Sequence, residues 1–413
     1  MGFQFIHTAD LHLGRPFSGI RDSSIASKLI ESTFKTFERI IELAIENRVA
    51  FLLIAGDIYD TKDKSLKAQL TFQKGMRRLE AENIDVYVVT GNHDPANKWT
   101  AELDIPPNVH LFGHGKPKSF PVIKDGVHIA SICGWSYPKE EVKEDVASQF
   151  SPDPKAPYNI ALLHCNCGSS AEYENYAPCT PTELLGAGFD YWALGHIHKR
   201  NVISDKNPWI VYPGNPQGIN PKETGAKGCY LVEVGQNGST RLEFLETDYV
   251  RWHAEEIPMA DISRIEEFMG RIHSIIDAIR PGNDKSAVVR FTLVDHTDLH
   301  SKLAREGNLQ GILEDLRSDE LRESNIVWVE DIIDKTKPVI DLEERRKAND
   351  LTGDFLRLVD EYRNSPTKRE DLLKELDELY MDRRGKKWID RPNDATLLEW
   401  LDLVETVGLD YLL

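Results

Sequence analysis

Phe51-Leu52-Leu53-Ile54-Ala55-Gly56-Asp57-Ile58-Tyr59-Asp60 is the stretch on which the fold of this chain turns. Five apolar residues without interruption predict a strand buried on both faces, as inside a parallel sheet. Gly56 permits a sharp turn. Asp57 then emerges at the strand's carboxyl end, where open α/β sheets place their ligands. A carboxylate after a strand is most often a cap or turn residue, so its weight depends on how the other strands end.

Four more apolar runs end in metal-ligand chemistry. Residues 3–6 lead into His7-Thr8-Ala9-Asp10-Leu11-His12, and 84–89 into Thr90-Gly91-Asn92-His93-Asp94. Residues 158–163 deliver His164, and 189–194 deliver Gly195-His196-Ile197-His198. Asp-x-His and His-x-His set alternate side chains on the same side of an extended backbone, so both members reach one site. Taken singly, each is an ordinary core or surface residue. Five such tips on five predicted strands point to one centre.

This set resembles the calcineurin-like metallophosphoesterase pattern D-x-H, G-D, G-N-H-[DE], H and G-H-x-H over about residues 1–245. His7-Thr8-Ala9-Asp10-Leu11-His12-Leu13-Gly14 narrows the resemblance to the SbcD-like DNA-repair exonuclease branch, of the bacterial YhaO type. Ala193-Leu194-Gly195-His196-Ile197-His198 and Tyr212-Pro213-Gly214-Asn215-Pro216 support the same branch. The resemblance implies that Asp10, His12, Asp57 and His198 hold one metal ion. Asp57, Asn92, His164 and His196 hold the other, with Asp57 shared. Imidazole, carboxylate and one amide suit Mn²⁺ or Fe²⁺ better than a structural zinc. The resemblance implies two divalent ions with Mn²⁺ as the activating one, Fe²⁺, Zn²⁺ and Mg²⁺ staying open. His93 is expected to face the scissile phosphate, with Asp94 orienting its ring. Asp60 stands where some nucleases of the family carry a histidine.

The implied activity is that of a dinuclear-metal DNA nuclease in DNA repair. It would hydrolyse phosphodiester bonds 3′→5′ by in-line attack of a metal-bridged hydroxide, with single-strand endonuclease activity as an accompanying reading. Two alternatives stay open: a phosphodiesterase acting on a nucleotide or small phosphodiester, and a non-catalytic DNA-end-binding subunit. The implied partners are DNA, a second copy of the chain, and an SMC-type coiled-coil ATPase of the SbcC-like or YhaN-like kind.

At 413 residues two or three domains are expected. The fold class read from the pattern is α/β: a two-sheet metallophosphoesterase sandwich flanked by helices, a small α+β capping domain and a helical C-terminal tail. Residues 1–245 form the nuclease domain in this reading. Residues 246–335 cap it and present DNA, and 340–413 are a helical partner-binding region. Apolar spacing predicts helices near 25–45, 66–82, 139–149, 181–187 and 262–279. In the tail, Leu351, Phe355, Leu358, Val359 and Tyr362 read as one stripe, and Leu397, Trp400, Leu401, Val404 and Val407 as another. Thr367 with Glu370 reads as a capping box.

The net charge of −18 argues against gripping nucleic acid by overall basicity. Local basic candidates are Lys62, Lys64, Lys67, Lys98, Lys199 and Arg200 near the centre, and the cluster Arg383, Arg384, Lys386, Lys387 and Arg391 beside Trp388. No apolar run is long enough to span a bilayer. Five cysteines without framework spacing suit a reducing cytoplasm. Cys165 and Cys167 read as buried bystanders, and Cys179 as structural.

Overall fold

A computed structural model describes residues 2–17, 20, 22–60, 65–96, 104–168, 174–280, 285–323, 325–339, 342–381 and 391–412. Lys62, Lys64, Lys98, Arg383, Arg384, Lys386, Lys387 and Trp388 lie outside them. The chain divides into two compact units. One comprises Met1–Ala254, Ile279–Val289 and Glu320–Glu330; the other comprises Glu255–Ala278, Arg290–Asp319 and Asp331–Leu413.

The first unit is α/β, with two six-stranded sheets as the sequence predicts. Its strands are β1 (Phe3–Thr8), β2 (Phe51–Ala55), β3 (Asp85–Val89), β4 (Val109–Leu111), β5 (Lys118–Lys124) and β6 (Val127–Trp135). They continue with β7 (Asn159–His164), β8 (Tyr191–Gly195), β9 (Asn201–Asp205), β10 (Trp209–Tyr212), β11 (Gly228–Val234) and β12 (Thr240–Glu246). One sheet runs β12-β11-β1-β2-β3-β4, the other β5-β6-β7-β8-β10-β9. β1 through β4 are mutually parallel, as are β6, β7, β8 and β10.

Alternation along β2 explains its unbroken apolar run. Phe51 and Leu53 enter one buried layer with Phe5, Tyr87, Ile160, Leu162 and Tyr191, which come from both sheets. Phe5 stacks on Phe51 at 4.9 Å and meets Tyr191 edge-on at 5.4 Å. Leu52 and Ile54 turn the other way, toward α1 (Ser23–Glu46) and α2 (Leu66–Ala81), beside Phe37, Ile40, Phe72 and Met76. Truncating Leu53 to Ala would cost about 2–5 kcal/mol. α1 starts where Asp22 accepts from Ser24 N and Ile25 N, and α2 where Ser65 accepts from Ala68 N. On the second sheet, Leu163, Trp192 and Leu194 face a third layer with Val142, Phe150 and Leu184. Leu184 belongs to α3 (Pro181–Gly186), opened by a capping box between Thr180 and Glu183.

The predicted helix at 139–149 is not formed; only a single 3₁₀ turn, Ala147–Gln149, stands there. Val142, Val146 and Phe150 are buried without a helical stripe between them. Three strands, β13 (Val250–Pro258), β14 (Ser286–Val294) and β16 (Val327–Asp334), form a separate sheet. Their first residues count in the first unit and their last in the second. The second unit adds α4 (Ile265–Ile279, all but its last residue), β15 (His296–Thr297), α5 (His300–Leu303), α6 (Asn308–Glu320, all but its last residue) and β17 (Lys337–Pro338).

The tail is helical: α7 (Leu342–Lys347), α8 (Leu351–Asn364), α9 (Pro366–Met381) and α10 (Asp394–Leu412). Its details correct the sequence reading. α8 buries Thr352, Gly353, Leu356 and Val359, while Leu351 is 70% exposed and Leu358 is also exposed. α10 buries Leu397, Leu401 and Leu409 and leaves Trp400, Leu403, Val404 and Val407 exposed. Each helix of so small a bundle has only one narrow side to bury. α9 begins at Pro366, whose fixed φ suits a first helical position. Ser365, not Thr367, holds the cap, its Oγ accepting from Lys368 N at 3.4 Å. No helix among the described residues is long and apolar enough to cross a membrane.

Candidate metal centre

The carboxyl ends of β1, β2, β3, β7 and β8 meet at one place in the first unit. Asp10 N–H donates to Gly56 O at 3.0 Å, His12 N–H to Asp57 O at 3.0 Å and Leu13 N–H to Ile58 O at 2.9 Å. These bonds lace the loop after β1 to the loop after β2. Asp10, His12, Asp57 and His196 all have positive φ: 53°, 43°, 51° and 96°. L-residues seldom adopt that backbone, and it persists where surrounding structure holds it, typically at functional sites.

Two glycines make the space. A Cβ on Gly91 would lie 2.2 Å from Asp57 Oδ1, and one on Gly195 would lie 1.8 Å from Ala55 O and 2.9 Å from His164 Nδ1. Neither position admits a side chain without moving the groups that face the centre.

The imidazoles are oriented from behind. His164 Nδ1–H donates to Ala55 O at 2.9 Å, which leaves Nε2 facing Asn92 Oδ1 at 3.0 Å and Asp57 Oδ2 at 3.4 Å. His196 Nε2–H donates to Glu174 O at 2.8 Å, and its ring meets that of His164 edge-on at 5.2 Å. His198 Nδ1–H donates to Glu223 Oε1 at 2.7 Å, and its Nε2 lies 3.1 Å from His12 Nε2. His12 turns Nδ1 toward Asp60 Oδ2 at 3.4 Å and Nε2 toward Asp57 Oδ2 at 3.8 Å. With the outer nitrogens of His164, His196 and His198 hydrogen-bonded, the rings are held in place, and the inner nitrogens of His164 and His198 face Asp57 and His12 respectively.

Donor atoms of Asp10, His12 and His198 lie within 4.8 Å of one another, as do those of Asp10, Asp57 and His164. Both carboxylates are buried, and burial raises the Asp10 pKa. Burial would raise Asp57 too, but His164, His93 and His12 outweigh it and hold Asp57 well below the usual range. Burial opposes the charge on His164, yet Asp57 and Asp10 lift it to about 9. Two buried carboxylates facing imidazole lone pairs form a site that attracts positive charge, and the N/O donor set fits divalent cations.

His93 and Asp94 part company. Both oxygens of Asp94 serve backbone: Oδ1 accepts from Gly91 N at 2.7 Å, and Oδ2 from Ile58 N at 2.8 Å and Tyr59 N at 3.4 Å. Asp94 therefore ties the loops after β2 and β3 together and does not orient the His93 ring. That carboxylate is Asp60, whose Oδ1 is 2.5 Å from His93 Nδ1 while Oδ2 meets Arg15 Nε at 3.3 Å. Burial and the Asp57 charge raise Asp94 to about 7. Burial would lower His93, but its bond to Asp60 and the charge of Asp57 prevail and raise it. His93 N–H also donates to Asp57 Oδ1 at 2.9 Å, so ring and backbone are both fixed. Its side chain is 36% exposed, at the open mouth of the centre.

Glu223 went unread in the sequence. It lies eight residues beyond Asn215 in a loop rich in Pro, Gly and Asn. The basic candidates are less free than their charges suggest: Lys67 pairs with Glu31, Arg200 lies over the Phe244 ring at 3.8 Å, and Arg391 pairs with Asp377 at 2.7 Å. The five cysteines are unpaired by disulfide; Cys165 Sγ and Cys179 Sγ are 3.8 Å apart.

Comparison with known proteins agrees with this geometry. Residues 3–200 match the family model described as calcineurin-like phosphoesterase, and 252–337 match that of the metallophosphoesterase YhaO middle domain. The chain is 37% identical over 336 residues to "Uncharacterized metallophosphoesterase YhaO" of Bacillus subtilis (strain 168), covering 81% of this chain and 82% of that one. It is 26% identical to "DNA double-strand break repair protein Mre11" of Methanopyrus kandleri, over 64% of this chain and 61% of that one. The Sulfolobus acidocaldarius protein of the same name is 23% identical, over 93% of this chain and 98% of its own length.

Proposed function

The chain belongs to the calcineurin-like metallophosphoesterases, hydrolases of phosphoesters that use divalent metal ions, and from that premise we propose that it is a DNA nuclease. The observation that carries the proposal is the convergence of the buried carboxylates of Asp10 and Asp57 with the imidazoles of His12, His164 and His198 beneath an open histidine. Asp10, His12, Asp57 and His198 would hold one cation. Asp57, Asn92, His164 and His196 would hold the other, with Mn²⁺ the ion best suited to these donors. Two such cations, when bound, lower the pKa of a water and balance charge on a phosphoryl group.

The chain's own residues do the rest. Asp57 answers both positions and is fixed by His93 N–H. His93, with Nδ1 on Asp60, keeps Nε2 as the ring's free position and delivers a proton there to the leaving 3′ oxygen. Asp94 keeps the loops after β2 and β3 in register. DNA is favoured as substrate because relatives bearing the name of DNA double-strand break repair proteins align over 64% and 93% of the chain. The direction proposed is 3′→5′ from an end. In this reading the middle domain presents DNA, and the tail binds an SMC-type coiled-coil ATPase.

The test is digestion of 5′-end-labelled duplex DNA with Mn²⁺, beside bis-p-nitrophenyl phosphate. The expected result is stepwise release of nucleotides from DNA together with ester cleavage. Cleavage of the ester alone would make the protein a small-molecule phosphodiesterase. Cleavage of neither would leave a non-catalytic subunit.

A further inference from the structure

The four imidazoles of the centre divide by what stands behind them. His164 and His196 donate to neutral backbone carbonyls, Ala55 O and Glu174 O. His198 donates to the Glu223 carboxylate, and His12 turns toward Asp60. This division coincides with the two cation positions assigned above, on which the inference rests. The carboxylate-backed pair belongs with Asp10 and Asp57, and the carbonyl-backed pair with Asp57 and Asn92.

We infer that the two positions are unequal by construction: the Asp10 position fills first and holds its ion more tightly, and Glu223 is the positioning residue that sets the difference. Two effects act in the same direction. An imidazole donating to a carboxylate is the better base at its other nitrogen, and its orientation is more firmly fixed. The Asp10 position also collects two carboxylates directly, whereas the other shares Asp57 and otherwise has the neutral Asn92 amide.

Glu223 is built to keep this place. It is 8% exposed and accepts from four donors: His198 Nδ1 at 2.7 Å, Asn220 Nδ2 at 2.6 Å, Asn215 Nδ2 at 2.7 Å and Ile219 N at 2.8 Å. Lys227 Nζ donates to His198 O at 2.9 Å, holding the same histidine by its backbone. Asp60 acts more weakly on His12, at 3.4 Å, because it is shared with His93 and Arg15.

The test is a Mn²⁺ titration of the full chain after chelation and desalting, followed by calorimetry and by electron paramagnetic resonance. Two binding events are expected, at least about tenfold apart in Kd, with a mononuclear spectrum at one equivalent. Glu223→Gln keeps the shape and removes the charge. It is expected to weaken the tighter event by about 10–100-fold and leave the weaker one unchanged. Asp60→Asn, a second variant should the first misfold, is expected to weaken the same event less. Equal affinities in the parent chain, or a Glu223→Gln effect confined to the weaker event, would overturn the inference and leave the dinuclear reading intact. Saturation at a single ion would overturn that reading as well.

Discussion

The metal centre and the helical tail handle their polar groups in opposite ways. At the centre, strained backbone and bare glycines force charged side chains into a buried place, and nearly every outer nitrogen has a designated acceptor. In the tail most ion pairs are partly exposed, as where Arg363 meets Asp402 at 2.8 Å and Glu405 at 2.9 Å, although Arg369 is buried against Asp394 at 2.6 Å. Apolar groups are the ones left over: Leu403 is 62% exposed and Tyr411 87%. Such surface pairs add little stability, whereas an apolar stripe on two neighbouring helices is what a helical partner covers. In the proposed reading small ions complete one region and a partner surface the other, so substitutions should act differently in each.

The widest separation is expected from Asp57→Asn. Losing the shared carboxylate should take ester hydrolysis to background and reduce bound Mn²⁺ at both positions, read by elemental analysis after desalting. Retention of one ion at parental affinity would contradict its bridging role. His93→Ala should lower the rate by about 10²–10⁴-fold with both ions retained. Loss of metal in that variant would make His93 a ligand. Gly195→Ala tests the space behind the centre: the new Cβ meets Ala55 O and His164 Nδ1, and a thermal melt should show about 1–3 kcal/mol less stability.

Acid separates the regions next. His7, buried in β1 against Tyr191, has its pKa pressed by burial to about 3. An unfolded chain takes that proton near pH 6.5, but the folded one refuses it until about pH 3. Stability attributable to His7 is therefore complete above pH 6.5 and declines as pH falls toward 3. In denaturant titrations, His7→Asn should reduce the acid slope by about 1.4 kcal/mol per pH unit. A slope equal to the parent's would show that His7 is not excluded from protonation. Smallest of all, Leu403→Asp with Tyr411→Asp should change stability by no more than about 0.5 kcal/mol and leave ester hydrolysis unaltered. Binding to a purified SMC-type coiled-coil ATPase, the proposed partner, should be lost; undiminished binding would move the docking surface elsewhere.

Much of this was legible locally. A run such as Phe51–Ala55 states its own burial, and polar tips such as Gly91-Asn92-His93 announce a site because the strand before them fixes where they emerge. The edge strands β5 and β9 were not read, since half-exposed residues such as those of Asn201–Asp205 carry no apolar pattern. For the acid that serves His93 the sequence suggests Asp94, and the structure shows Asp60. Asp94 is its neighbour in sequence, but the turn commits both Asp94 oxygens to backbone, and Asp60 arrives from another loop. Glu223 was out of reach for the same reason: its bond to His198 spans a loop whose path only the folded chain reveals.

The place of β1 has a consequence for how the protein is made. β1 leaves the ribosome ahead of both strands it pairs with: β2 on one side and, antiparallel on the other, β11 at Gly228–Val234. At ordinary rates of translation the nascent chain would wait roughly 9–37 s between the two. Throughout that interval one edge of an apolar strand stands open to other chains, and His196, His198 and Glu223 have yet to be synthesised or have only just emerged. Metal loading is thus a late event in biogenesis. Truncated products ending before β11 should be insoluble rather than partly active.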